Sequence, residues 1–174
     1  MTAEMKAIAE QVKEAFPEGV QEIREFRGEI TVVVDAQQIV EICTFCRDTE
    51  GLQFSLLADL AGIDYYPEEP RFAINYMLFS MPLNHMLRLK AYVHGDEAKL
   101  PSVTGVWAGA NWPEREVYDM FGVEFEKHPN MQRILMPVDW TGHPHRKDYP
   151  LGYEEVQFSF NADRVMENKP QPKE

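Results

Sequence analysis

Residues 72–93 read FAINYMLFSMPLNHMLRLKAYV, and their periodicity decides the fold. Phe72, Ile74, Tyr76 and Leu78 recur at every second position, as do Leu87, Leu89, Ala91 and Val93 against Met86, Arg88, Lys90 and Tyr92. A period of two belongs to extended chain with side chains pointing to opposite faces. Pro82-Leu83-Asn84 supplies the turn, so the stretch predicts a hairpin with one buried face, its returning strand ending at Gly95-Asp96. Working upstream, Ile30-Thr31-Val32-Val33-Val34 is a β-branched run suited to a central strand. Residues 20–27 alternate more weakly and predict an edge strand, joined to the β-branched run through Gly28. Met5, Ile8, Ala9, Val12 and Phe16 repeat with the 3.6-residue helical period until Pro17 and Gly19 stop it, and a second helix is expected over residues 36–50, ended by Gly51. The expected class is α+β: a mostly antiparallel sheet with helices on one side, followed by an extended, Pro- and aromatic-rich partner-binding segment.

Composition narrows the chemistry. The 174 residues hold 17 Lys+Arg against 29 Asp+Glu, a formal net charge of -12. Such a chain repels phosphate backbones and anionic lipid heads, which argues against nucleic-acid or membrane-surface binding. The acid is concentrated: residues 1–70 hold 15 acidic and 5 basic residues. No apolar run approaches the ~18 residues a membrane span needs. The first sixteen residues carry Glu4, Glu10 and Glu14 without a continuous apolar stretch, so neither a signal nor a transit peptide is expected and the chain reads as cytoplasmic.

Cys43 and Cys46 are the only thiols. An all-cysteine iron–sulfur cluster takes four, so this chain alone is expected to hold none. The spacing is C-x-x-C, the pattern of thiol–disulfide enzymes, but it lies inside a helical pattern rather than at the helix N-terminus that stabilises a thiolate. Burial as small core residues is the expectation. His143-Pro144-His145 places two imidazoles on one face of an extended strand, yet no third ligand accompanies them and Arg146-Lys147 would repel a cation. Gly-rich phosphate loops, the G-x-S-x-G elbow and H-E-x-x-H are all absent.

The second half is punctuated by Pro113, Pro129, Pro137, Pro144 and Pro150, with aromatics every few residues. That composition suits a binding surface or a wrap over the chain's own sheet. Residues 1–110 are expected to form the α+β domain, 111–158 a helix and an extended segment (subunit-binding on the resemblance given below), and 159–174 a polar, partly disordered tail. In the second part, Asn111 and Glu114 have the spacing of an N-cap and its reciprocal acid, Pro113 lies in the first turn and Gly122 stops the helix. Val117, Met120 and Phe121 form its apolar stripe, leaving Glu114, Arg115, Glu116 and Asp119 as solvated charges, with Arg115 and Asp119 paired at i,i+4. Glu114 and Glu116 diverge by ~200° around a helix and cannot share one substrate.

At Glu114-Arg115-Glu116-x-x-Asp119-Met120-Phe121, six residues, His128, and then Ile134-Leu135, the sequence resembles the signature of the 30-kDa-type subunit of respiratory complex I, the C-subunit family of NADH–quinone oxidoreductase. Gln132 departs from the Lys, Arg or Pro usual there, with Arg133 next to it. The resemblance continues through Gly142-His143-Pro144-x-Arg146-Lys147-Asp148-Tyr149-Pro150-Leu151, and upstream in Asp59-Leu60-x-Gly62-x-Asp64-Tyr65 and Pro101-Ser102-Val103-Thr104, covering about residues 50–158. It implies a structural subunit of the hydrophilic arm without a catalytic residue of its own. It further implies an extended segment lying along the 49-kDa-type subunit, and other iron–sulfur subunits nearby. FMN, iron–sulfur clusters and quinone would be held by those partners, and this chain would sit peripherally on the cytoplasmic side of the cell membrane. Glu114, Arg115, Glu116, Asp119, Phe121, His128, Arg133, His143, Arg146, Lys147 and Asp148 become inter-subunit or fold-locking contacts. The alternatives are the equivalent subunit of a membrane-bound hydrogenase or of a ferredoxin- or deazaflavin-linked oxidoreductase, and a stand-alone C-x-x-C thiol oxidoreductase.

Overall fold

The computed structural model describes residues 2–95 and 98–150; the expected tail at 159–174 lies outside them. Helix α1 (Thr2–Ala15) leads into β1 (Val20–Phe26) and β2 (Glu29–Val34), joined by a two-residue turn in which Arg27 and Gly28 both have positive φ, 52° and 82°. Turns of that hand match the right-handed twist of the flanking strands. Asp35 then caps a 3-10 turn by accepting the Gln37 N–H at 2.7 Å, and α2 (Ile39–Asp48) follows. Next come β3 (Leu56–Asp64), β4 (Phe72–Ser80) and β5 (His85–Val93).

The five strands form one sheet in the order β1-β2-β5-β4-β3. All pairs are antiparallel except β2 with β5, where Val32 stands opposite Leu89 and Val34 opposite Ala91. This parallel pair sits in the middle because the chain leaves β2 through α2, lays down β3 and β4 outward, and returns as β5. One face carries Ile30, Val32, Val34, Leu87, Leu89, Ala91, Ile74, Tyr76 and Leu78, all buried against Ile8, Ala9 and Val12 of α1 and Ile39, Ile42, Cys43 and Cys46 of α2. Burying each large aliphatic side chain stabilises the fold by about 1.5–3 kcal/mol. The opposite face presents Arg24, Thr31, Arg88 and Met77 in register across four strands. The hairpin and the helix-on-one-side architecture follow the sequence pattern. The inner faces of β4 and β5 are buried as expected, but the outer face is partly covered on both: Arg88, Lys90 and Tyr92 of β5 and Asn75, Met77 and Phe79 of β4 are half-buried, and Ala73 is buried.

Strand β3 has no clear signature in the sequence. A bulge between Leu57 and Asp59 interrupts its alternation, and Ala58, Asp59, Ala61 and Gly62 are poor strand formers. A second, two-stranded parallel sheet pairs β6 (Lys99–Pro101) with β7 (Glu124–Glu126). Helix α3 (Asn111–Phe121) is the crossover between them, so both its ends are fixed. It packs on β3 at Gly62, where an added Cβ would lie 2.8 Å from the Phe121 ring and 3.3 Å from Val117. We expect Gly62→Val to force α3 off the sheet and destabilise the chain by about 1–3 kcal/mol, read as a lowered denaturation midpoint; an unchanged midpoint would show that the close approach of α3 is not required.

Candidate functional site

All eleven of the sequence-selected residues lie on α3 or on the irregular segment 127–150 that folds over it. The helix stops because Gly122 takes φ 75°, donating its N–H to Tyr118 O at 2.8 Å. Only glycine fits there for a second reason, since a Cβ would come within 2.6 Å of both His143 and Arg146. Those two residues lie against the helix end because they complete it. The last carbonyls of a helix lack internal partners, and here residues 143–146 supply them: the His143 ring donates from Nδ1 to Asp119 O at 2.9 Å, the His145 N–H to Met120 O at 3.0 Å, and Arg146 Nε to Phe121 O at 2.6 Å. The Arg146 guanidinium also suits the negative end of the helix dipole and stacks over Phe72 at 5.3 Å.

Asp119 holds the other part of the segment. Its Oδ2 accepts three successive backbone N–H groups, from Ile134, Leu135 and Met136 at 2.9, 2.7 and 2.9 Å. Its Oδ1 accepts from Arg133 Nη1 at 2.6 Å. Burial opposes the charge on this fully enclosed carboxylate, but the backbone donors and Arg133 outweigh it and hold the pKa below the ordinary aspartate value. Arg133 also donates to Gly142 O at 2.9 Å, which brings 133 and 142 together. Arg115 turns away from Asp119. It donates to the carbonyls of Gln132 and Arg133 at 2.9 and 3.3 Å and stacks on Trp112 at 5.3 Å. The expected i,i+4 pair is therefore absent, because Asp119 faces inward and the guanidinium finds carbonyls on the segment instead.

Two further expectations are corrected. Asn111 is the first residue of α3 rather than its cap; Ala110 occupies that position without a side-chain hydrogen bond. Glu114 is fully buried instead of solvated. Its Oε1 accepts the Val103 N–H at 2.7 Å and its Oε2 the Ser102 hydroxyl at 2.6 Å, tying the β6–α3 connection to the helix. Burial pushes its pKa up to about 7. His128 Nε2 lies 3.9 Å from it, but His128 Nδ1 accepts from Asn130 N–H at 3.0 Å, so the ring proton is on Nε2 and donates to Asn111 O at 3.2 Å. Burial lowers the His128 pKa, so the ring is neutral and the pair is not an ion pair.

A third anchor joins Lys147 and Asp148, both selected from the sequence, to Asp64 and to Arg71, which the sequence did not single out. Arg71, 4% exposed, donates to both carboxylate oxygens of Asp64 at 3.2 and 3.1 Å and to Asp148 Oδ1 at 2.6 Å. The Lys147 N–H joins Asp64 Oδ2 at 2.9 Å, so Lys147 contributes its backbone. This network fastens the far end of the segment to the ends of β3 and β4. Asp64 stood in the sequence beside other chemistry-bearing residues, but only the fold shows that it faces Arg71.

The thiols take no part. Cys43 and Cys46 are buried and free in the middle and end of α2; burial pushes the Cys46 pKa up to about 12 and that of Cys43 well above its ordinary value. That is the reverse of an activated thiolate, which removes the thiol-enzyme reading. His143 and His145 do not converge, and no group of three His, Cys, Asp or Glu among the described residues is placed to hold a metal ion. What the arrangement does offer is a surface. Leu135 is 59% exposed and Val138 94%, with Ile134 and Trp112 also in solvent; Asp119 holds the backbone of Ile134 and Leu135, and Trp112 stands on α3.

Comparison with known proteins agrees with the resemblance carried by the sequence. A family model described as the 30 Kd subunit of respiratory-chain NADH dehydrogenase matches residues 32–155. The C subunit of NADH-quinone oxidoreductase from Roseiflexus sp. strain RS-1 is 45% identical over 174 residues, all of both chains. That of Geobacter sulfurreducens is 49% identical over 141 residues, 80% of this chain and 86% of its own. Among solved structures, the trypsin-resistant fragment of Nqo5 aligns with a TM-score of 0.63 at 31% identity, over 73% of this chain and 98% of the fragment. A chain of the archaeal membrane-bound sulfane sulfur reductase aligns with a TM-score of 0.70 at 26% identity, over 84% and 85%.

The buried Glu114 gives a pH test. A folded-state pKa raised to about 7 from 4.5 means that its stabilising contribution is complete below the unfolded value and is lost as pH rises through the folded one. Glu114→Gln, which keeps an acceptor for Val103 and offers the rotatable Ser102 hydroxyl an N–H in place of the Oε2 acceptor, is expected to flatten the fall in stability between about pH 4.5 and 7. Glu114→Ala leaves the Val103 N–H unpaired and is expected to cost about 1–3 kcal/mol. Denaturant titrations across that range check both, and a Gln variant with the wild-type pH profile would contradict the assignment.

Proposed function

Since the chain belongs to the 30 kDa subunit family of respiratory-chain NADH dehydrogenase, we propose that this subunit of NADH–quinone oxidoreductase, complex I, is a non-catalytic member of the hydrophilic arm that docks on the 49-kDa-type subunit and supports the quinone-reducing module. The observation that carries the proposal is the exposed apolar pair Ile134 and Leu135, displayed on backbone that a buried carboxylate holds in place, with exposed Val138 just beyond it. A free monomer gains nothing from fixing apolar side chains in water. A docking element gains affinity, because the entropy of ordering it is already lost before binding.

In this reading electron transfer from NADH to quinone belongs to the whole complex, with FMN, iron–sulfur clusters and quinone in partner subunits. Supporting it, the chain's two thiols are both buried in α2, fewer than the four a thiolate-ligated cluster takes. No helix among the described residues is long and apolar enough to cross a membrane, which fits a peripheral subunit held through its partners on the cytoplasmic side. The likeness to a chain of the sulfane sulfur reductase, itself an archaeal respiratory membrane complex, indicates that the same docking unit suits related machines; the NADH-quinone oxidoreductase relatives, matched across 80–100% of this chain, favour complex I.

The test is a Leu135→Asp, Val138→Asp double variant in the native operon. Both side chains are exposed, so the isolated chain is expected to unfold within about 0.5 kcal/mol of wild type. Complex recovered from detergent-solubilised membranes through a tag on this subunit is expected to fall at least tenfold. Wild-type yields of active complex would overturn the proposed docking surface.

A further inference from the structure

β3 is an edge of the five-stranded sheet, with β4 as its single neighbour. An edge strand carries a row of backbone N–H and C=O groups without sheet partners, and soluble proteins cover such edges or blunt them with charge and bulges. Here the bulge lies between Leu57 and Asp59. Residues 59–64 beyond it form a regular edge of about 20 Å at the rise of a strand. Ala61 is exposed, and the only charges of the stretch are Asp59 and the buried Asp64. Among the described residues the edge therefore keeps a length of clean, weakly protected backbone.

Beside it runs a groove of about 310 Å³ between β3 and α3. Asp59, Ala61, Glu116, Met120, Phe121 and His145 line it. Gly62 makes the groove possible, because the absence of a Cβ lets Phe121 and Val117 settle against the strand and form its apolar floor. Asp59 and Glu116 put two exposed carboxylates in the lining. Asp59 accepts only the neighbouring Leu60 N–H, at 2.8 Å, and among the described residues no hydrogen bond or ion pair engages Glu116. Among the described residues no Lys or Arg lines the groove beside them.

We propose that this groove receives an extended segment of a partner subunit, added to β3 as a sixth strand, with alternate apolar side chains lying on Met120 and Phe121 and a Lys or Arg between Asp59 and Glu116. The inference rests on the reading that the chain works inside an assembly, and it adds a second contact distinct from the Ile134–Val138 surface. Strand addition of this kind takes affinity from main-chain hydrogen bonds and specificity from pockets for every second side chain, and a free edge flanked by an apolar, acidic groove offers both. The chain's own sequence after residue 150 is the poorer occupant on charge. Its alternating stretch VQFSF at 156–160 follows Glu154 and Glu155, and the first cation after it is Arg164.

The experiment uses the assembled complex. A photo-reactive benzoylphenylalanine is placed at Ala61, the complex is irradiated after purification through a tag on another subunit, and the crosslinked peptides are sequenced. The expected product joins Ala61 to one partner segment with alternating apolar residues and a Lys or Arg. Glu116→Lys is expected to lower the yield of complex at least tenfold and Glu116→Gln two- to fivefold, with the circular dichroism of the isolated variants unchanged. Should Glu116→Lys fail to fold, amide hydrogen exchange of residues 59–63 decides instead, slow in the wild-type complex and fast in the isolated wild-type chain. Crosslinks confined to residues 151–174, a complex with no crosslink, or equal exchange in the two states would overturn the proposal. A complex that purifies without this chain would overturn the membership reading itself, which separates the two failures.

Discussion

The structure of the second half depends on one buried charge. Asp119 is enclosed on α3, and taking a carboxylate out of water is costly unless its lone pairs are filled. Three consecutive backbone N–H groups and a guanidinium fill them. That solution fixes a stretch of chain that has no helix or strand of its own, since residues 134–136 can supply three donors to one oxygen only in a tight, turn-like conformation. Arg133, drawn in by the same carboxylate, reaches Gly142 O and places the next block against the end of α3. There the carbonyls of residues 119, 120 and 121 each meet a donor from residues 143–146.

Two other buried ionisable groups define the ends of this arrangement. Glu114 fastens the start of α3 to the loop after β6, and Asp64 with Arg71 fastens residues 147–148 to the sheet. Their chemistry differs. Asp64 and Asp119 have cationic partners and backbone donors that keep them ionised, whereas Glu114 has a hydroxyl, one N–H and a neutral imidazole nearby, and burial shifts it toward the protonated form. Most of the conspicuous charges of the second half are thus spent inside the chain. The groups left to meet a partner are mainly apolar, at Ile134, Leu135 and Val138, together with Trp112, and Glu116 among the acids.

The sequence carried much of the fold and less of the site. β4, β5 and the helices keep one period and were readable from it, and β2 was readable as a β-branched run. β3 was not, because a bulge shifts its alternation and its small residues are chosen for the approach of α3 rather than for strand propensity. At the site, the positions of the signature residues were legible but their directions were not. A helical wheel with Val117, Met120 and Phe121 inward leaves Asp119 outside and sets Glu114 at the margin of the stripe beside Phe121; the fold buries both because residues 102–103 and 133–136 cover further sides of α3. Such tertiary partners leave no trace in local periodicity. Arg71 illustrates the same point, since nothing around it in the chain announces that it meets Asp148, 77 residues away.

The central claim, that a buried aspartate pre-forms the docking segment before any partner arrives, is tested most directly by amide hydrogen exchange on the isolated chain. The amides of Ile134, Leu135 and Met136 are expected to be protected in the wild type. In Asp119→Ala they are expected to exchange at rates near those of an unstructured peptide, while core amides of β4 and β5 keep most of their protection. Fast exchange of the three amides in the wild-type chain, or equal protection with and without the carboxylate, would contradict the account.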